Sequence, residues 1–293
     1  MDALCLSTMT LRQVALELLQ IQDPDSKAAR TIATEVATSP CGGQAVLVEP
    51  PLLPGRPDRP MLVAPRQQAQ RAVGTREGRT ALLHALAHIE HNAINLALDA
   101  CWRFAGMPEA YYRDWFSVAR EEAQHFGLLR DHLATLDARY GDLPAHDGLW
   151  DMVRKTRGDV LARMALVPRT LEARGLDASP AVRQRLASVG DQAGARIVDI
   201  LLRDEIGHVA IGNHWFRHLC TERGLEPLAC YAALSERYGA PPMFGPFNLP
   251  ARKAAGFTDA ELSYLVQTRQ SPPAGKPNKT RPDGSSPHHP ARR

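Results

Sequence analysis

One six-residue pattern occurs twice and constrains this chain more than any other feature. Arg120-Glu121-Glu122-Ala123-Gln124-His125 and Arg203-Asp204-Glu205-Ile206-Gly207-His208 both read Arg-acid-Glu-x-x-His. Positions i and i+3 share a face of an α-helix, so each Glu/His pair directs two polar groups to one place. That place is the interior. Glu122 and His125 fall on the stripe Trp115, Val118, Ala119, Phe126 and Leu129, and Glu205 and His208 on Val198, Leu201, Leu202, Val209 and Phe216. A carboxylate on a core-facing stripe is expensive unless its charge is compensated. Arg120 and Arg203 sit two positions earlier and so on another face, where they form surface ion pairs at best. Two such pairs facing one core call for a cation, because carboxylates brought together alone force some to protonate.

A di-metal site in a helix bundle asks for one further Glu from each of two other helices. Glu90 is a single acid on the stripe Leu83, Leu86, Ala87, Ala93, Ile94 and Ala97. Glu90 and Glu122 each lie 16 residues from Gly106, so a hairpin turning there brings them to the same height. The fourth acid has two candidates. Glu172 follows Leu161, Met164, Ala165, Pro168 and Leu171, and its separation from Glu205 (33 residues) nearly repeats that of Glu90 from Glu122 (32 residues). Gly175 and Ser179-Pro180 follow at once and predict a helix that bends there and resumes near Ala181, with a further kink at Pro168. Asp159 is the alternative.

A rival metal face is His84, His88 and His91, which with Asn95 form an i, i+4, i+7, i+11 stripe beside Glu90. Three imidazoles can hold zinc; they can equally pack as a polar helix side or donate to carboxylates. Asp204 and Glu121 stand next to the site glutamates, where each can accept the outer N–H of a ligand histidine. No serine or cysteine nucleophile motif and no Gly-rich phosphate loop is present.

Around this centre the chain reads as all-α. Residues 1–75 hold two short helices (Leu11, Val14, Ala15, Leu18 and Leu19 at helical spacing, then a cap at Asp23-Pro24) and an extended segment with seven prolines between Ser39 and Arg66. Residues 76–224 read as the four-helix bundle, 225–270 as C-terminal helices, and 271–293 as a disordered tail with five basic residues against one acid. The net charge of +3 is thus a property of the tail, weak support for a nucleic-acid partner. Apolar runs near 81–87 and 197–202 fall far short of the roughly 18 residues of a spanning helix, so no membrane partner is expected. Met1–Gln20 carries Asp2, Arg12 and Glu17 and does not read as a secretory signal. Five cysteines without a C-x-x-C fit a reducing cytoplasm.

The pattern Glu90 … Glu122-x-x-His125 … Glu172 … Glu205-x-x-His208 resembles the ferritin-like di-iron carboxylate proteins. His84-Ala-Leu-Ala-His-Ile-Glu90, Tyr112-Arg-Asp-Trp115, Tyr140–Trp150 and Arg203–Gly212 resemble, more closely, a bacterial ferritin-like family of unassigned function. Leu171-Glu-Ala-Arg174 is similar to the matching helix of the tRNA hydroxylases that oxidise methylthio-isopentenyl-adenosine, which favours Glu172 over Asp159. The resemblance implies a ferritin-like four-helix bundle with extra N- and C-terminal helices. It also implies a metal centre of Glu90, Glu122, His125, Glu172, Glu205 and His208. Four carboxylates balance two Fe(II) ions, with Mn/Fe the alternative pair. The expected function is dioxygen activation by an oxygenase or oxidase. It would act on a small apolar molecule, or a nucleic acid, and draw on an external electron donor and redox partner. A non-catalytic iron-binding or ferroxidase-like role, and a structural role with a vestigial site, are the competing readings.

Overall fold

The computed structural model describes residues 9–64 and 72–268. Two short helices open it, α1 (Leu11–Gln20) and α2 (Pro24–Ala33), each held at its start by a side-chain cap. Thr10 and Gln13 form a reciprocal capping box on α1, and Asp23 accepts from the Ser26 N–H at 2.8 Å on α2. From Thr34 to Ala64 the chain contains no helix, as its prolines dictate, and backbone contacts tie it to later loops: a bridge from Leu62 to Ala145, and the Gly106 N–H donating to the Gly43 carbonyl at 2.8 Å.

The centre is a hairpin of α3 (Arg76–Arg103) and α4 (Glu109–Ala134), turning at Gly106, whose φ of +81° is one that a side chain disfavours. Every residue from Glu90 to Trp102 is buried, so the C-terminal half of α3 is enclosed on all sides rather than amphipathic. Helix α1 covers α3, and α2 covers α4. After α5 (Gly148–Lys155) comes a composite rod: α6 (Val160–Leu166), a π-helical segment (Val167–Glu172) and α7 (Ala173–Ser188). Helix α8 (Gln192–Glu222) returns along α7 and packs on α4 and α6. Three helices close the described chain: α9 (Pro227–Tyr238) on α6, α10 (Leu249–Ala254) on α7 and α8, and α11 (Asp259–Thr268). The architecture is therefore an all-α bundle. Among the described residues no helix is long and apolar enough to cross a membrane. The basic tail, 271–293, lies outside the described residues.

One local expectation is corrected. The rod does not break at Gly175–Pro180; α7 stays helical through both residues. Pro180 has no N–H for the Leu176 carbonyl, and the Asn248 side-chain amide donates to that oxygen instead, at 3.1 Å. The irregularity lies one turn earlier, where Pro168 was expected to kink the helix. There the π segment widens the coil, and the Thr170 hydroxyl donates to the Ala165 carbonyl at 2.8 Å. The Pro168 ring sits over Gly212 of α8, where a Cβ would come within 2.5 Å of it. Helix α10 falls among the C-terminal helices expected over 225–270. Asn248 caps it, and Arg252 ties it to Asp177 at 2.6 Å.

Candidate metal centre

The two hexapeptides lie at mid-length on α4 and α8, which pack against each other, and their Glu and His side chains meet inside the bundle. Glu122 is the shared member. Its Oε2 lies 3.3 Å from His125 Nδ1, and its Oε1 lies 2.8 Å from His208 Nδ1. Glu90 reaches the first histidine from α3, with Oε2 3.4 Å from His125 Nδ1, and Glu205 the second, with Oε2 3.4 Å from His208 Nδ1. The donors group as Glu90, Glu122 and His125 on one side and Glu122, Glu205 and His208 on the other, each set compact enough to hold one ion. The imidazole centroids are 5.8 Å apart.

The outer nitrogens are held crosswise. His125 of α4 turns Nε2 to Asp204 of α8 at 3.1 Å, and His208 of α8 turns Nε2 to Glu121 of α4 at 2.7 Å. Each imidazole thus donates its Nε2–H outward to the acid that precedes the opposite helix's site glutamate. This is the orienting contact expected of Asp204 and Glu121, and it leaves both Nδ1 atoms facing the carboxylates.

Glu172 ends the π segment and comes from the composite rod. Its Oε2 is buried without a hydrogen-bond partner, and the charges of Glu205, Glu122 and Glu90 all act on it. His208 Nδ1, although close to Glu122, likewise lacks a well-directed hydrogen bond. Five of the six sequence-derived residues thus fall into the two donor groups, and Glu172 lies near enough to feel their charges but belongs to neither group. Asp159 is engaged elsewhere: it caps α6 through the Ala162 N–H at 3.1 Å and accepts from the Tyr238 hydroxyl at 3.1 Å.

The electrostatics follow from this crowding. Burial and the neighbouring Glu122 push the Glu90 carboxyl up to about 8, and burial with Glu205 raises Glu172 well above the usual range. Burial also raises Glu205. Glu122 moves the other way: burial opposes its ionisation, but His208 and His125 on either side hold it well below. Burial alone would depress His125, yet Glu122 and Glu90 lift it to about 11. The cluster balances its own charge with protons, and a divalent cation entering it replaces them.

The His84, His88, His91 face is a packing surface, not a zinc site. His84 Nε2 accepts the Gly141 N–H at 2.9 Å, and His88 is engaged at both nitrogens, with the Tyr140 hydroxyl at 2.9 Å and the His146 carbonyl at 3.0 Å. Tyr140, which joins His88 to His91, was missed in the sequence; it lies in a turn-rich stretch some 50 residues from its partners, where periodicity carries no signal. Of the cysteines, Cys41, Cys101, Cys220 and Cys230 are free thiols.

Fold and site together define an all-helical protein with a buried carboxylate–imidazole cluster of metal-binding composition. The chain belongs to the family described as "Protein of unknown function (DUF455)", whose model matches residues 20–263. It is similar to a Haemophilus influenzae (strain ATCC 51907 / DSM 11121 / KW20 / Rd) protein named "Uncharacterized protein", with 49% identity over 222 residues that cover 73% of this chain and 77% of the relative. No solved structure matches.

Proposed function

We propose that the six residues hold two metal ions, most simply iron, and that the protein is a di-iron carboxylate oxygenase or oxidase. The observation that carries this reading is the unpartnered Glu172 Oε2, buried among three other carboxylates that two imidazoles cannot neutralise. The donor set fits the group: four hard carboxylates match the charge of two divalent ions, and neutral imidazole nitrogens complete a set suited to iron or to Mn/Fe. Glu122, common to both donor groups, would serve both ions, Glu90 and Glu205 would serve one each, and Glu172 would approach from the π segment. When bound, iron supplies the electrons and open coordination positions that dioxygen activation requires. The chain's own part is to orient the imidazoles through Asp204 and Glu121, and to limit water: Glu122, His125 and His208 are each at most 2% exposed. Turnover draws on an external electron donor through a redox partner, and the substrate is a small apolar molecule; a nucleic-acid substrate has only the basic tail in its favour.

The test is metal content after anaerobic Fe(II) loading, then absorbance on admitting air. About two irons per chain and a new near-ultraviolet charge-transfer band are expected. Both should be lost in Glu205→Ala and in His125→Ala. Wild-type stoichiometry in both variants, or a chain that takes no iron, overturns the assignment. The non-catalytic alternative, iron binding or ferroxidase activity, predicts oxygen uptake in fixed proportion to the Fe(II) oxidised and no oxidised organic product at any level of added reductant. Helices α1 and α2, which cover outer faces of α3 and α4, weigh against the closed shell of small bundles that iron storage needs.

A further inference from the structure

Two thiols that the metal centre does not use meet where α8 ends and α9 begins. The join is tight: the Leu225 N–H donates to the Cys220 carbonyl at 2.9 Å, Gly224 takes a φ of +63°, and α9 starts at Pro227. Helix α9 therefore folds back on α8, and one guanidinium marks the faces that meet. The Arg169 guanidinium lies 4.6 Å from the centre of the Phe216 ring on α8 and 5.1 Å from that of Tyr231 on α9. Cys220 stands one helical turn beyond Phe216, and Cys230 directly precedes Tyr231, which brings both to this contact. There the thiols interact with each other, Cys220 as the hydrogen-bond donor. Neither is in a disulfide.

The two are not equivalent. Cys220 is fully buried, whereas Cys230 is only half-buried, within reach of a small solute. The hydrogen bond from Cys220 favours the Cys230 thiolate, and Arg223 and Arg169 act in the same sense. Burial still raises both thiols, Cys220 to about 12. The pair is therefore slow to react and stays reduced until an oxidant persists.

We propose that Cys220 and Cys230 are a dithiol that a hydroperoxide converts to a disulfide, Cys230 reacting first and Cys220 completing the bond. The Cys230 thiolate attacks the terminal oxygen of ROOH, hydrogen peroxide included. The O–O bond breaks, Cys230 becomes a sulfenic acid, and the departing RO⁻ takes up the proton that the thiol released. The Cys220 sulfur then attacks the Cys230 sulfur; the S–S bond forms, and hydroxide leaves with the Cys220 proton as water. The peroxide is thus reduced to ROH and water while the two thiols lose two electrons and two protons. A dithiol reductant reverses the step by exchange. The new bond fastens α9 to α8 beside Tyr231, whose hydroxyl lies 3.0 Å from that of Thr170 in the π segment.

The experiment exposes the full-length chain, in the presence of a chelator, to hydrogen peroxide, blocks remaining thiols with iodoacetamide and maps tryptic peptides by mass spectrometry. Arg223 lies between the two cysteines, so peptides 218–223 and 224–237 stay joined only through a disulfide. The linked pair, released by dithiothreitol, is expected as the main product of the folded chain, and in urea it should give way to a mixture of pairings. In Cys220→Ala, Cys230 has no partner and should run on to sulfinic acid; in Cys230→Ala, Cys220 should stay reduced. Cys230 is half-buried, so Cys230→Ala keeps the test valid should Cys220→Ala fail to fold. A wild-type chain that stays reduced, sulfinic acid at Cys230 without the linked pair, the same pairings folded and unfolded, or Cys220 oxidised as fast in Cys230→Ala as in wild type each overturns the proposal. Because metal is chelated throughout, the result stands apart from the iron assignment.

Discussion

Replacing Gly212 by alanine tests whether the π segment is held in place by its contact with α8. Gly212 is in the interior of α8, where alanine is favoured over glycine by up to about 1 kcal/mol. At this position, however, the new Cβ would meet Pro168 Cβ at 2.5 Å and Cγ at 2.6 Å, against the usual 3.5–4.0 Å between carbons. The ring is rigid and fused to the backbone, so relief requires the π segment to retreat by about 1 Å. Overpacking of this kind costs about 1–3 kcal/mol, which outweighs the helix gain. Gly207, on the same helix with no heavy atom within 4 Å of its would-be Cβ, is the control. Urea denaturation of the metal-free protein should show Gly207→Ala neutral or stabilised and Gly212→Ala less stable than it by about 2 kcal/mol. The retreat also carries Glu172, four residues beyond Pro168, so Gly212→Ala should bind iron more weakly. Equal stability of the two variants refutes the packing argument, and unchanged iron affinity refutes the link to Glu172.

Glu121→Ala and Asp204→Ala each remove one outer acceptor, and each should lower the affinity for one ion by about 10–100-fold while largely sparing the other, read by metal titration; identical losses at both ions would contradict the crossed arrangement. Lys27 gives a pH signature. Its ammonium is fully buried against the carbonyls of Leu19 and Gly55 and Asn95 Oδ1, and burial followed by Arg56 lowers its pKa to about 7 from 10.5. Between those values the folded state binds fewer protons than the unfolded one, so the cost of housing the charge is present in full below about pH 7 and disappears as pH rises towards 10.5, with an upper bound of about 5 kcal/mol. Lys27→Met should therefore gain most on wild type near pH 7 and progressively less towards pH 10 in urea melts, and a pH-independent difference would refute it.

The candidate site was legible because its chemistry is written locally. Each Glu/His pair occupies one helical face, and Glu90 and Glu122 are matched across a single glycine, so spacing alone carries the geometry. Buried cations were not legible. Arg12 spends its guanidinium on the carbonyls of Trp102, Gly42 and Gly43, and Arg163 reaches Asp99, which Arg103 also holds. These partners lie between 4 and 90 residues away, and no periodicity distinguishes such residues from solvated ones. Arg169 shows the same gap: it is enclosed by the rings of Phe216, Tyr231 and Phe257 and paired with Glu261. The misread of Gly175–Pro180 has a related cause. Proline does break a helix that must satisfy its own carbonyls, but here Asn248, 72 residues away, does so for it.

The crossed histidine contacts also work as a mechanical key. Because each imidazole is pinned by the helix it does not belong to, sliding α8 along α4 by a single turn, about 5.4 Å, would unseat both pins together. Alignment of the two rods and presentation of the two Nδ1 atoms are thus one property. A chain that held no metal would still have reason to retain these residues, and one that repacked the bundle would have to rebuild the cluster.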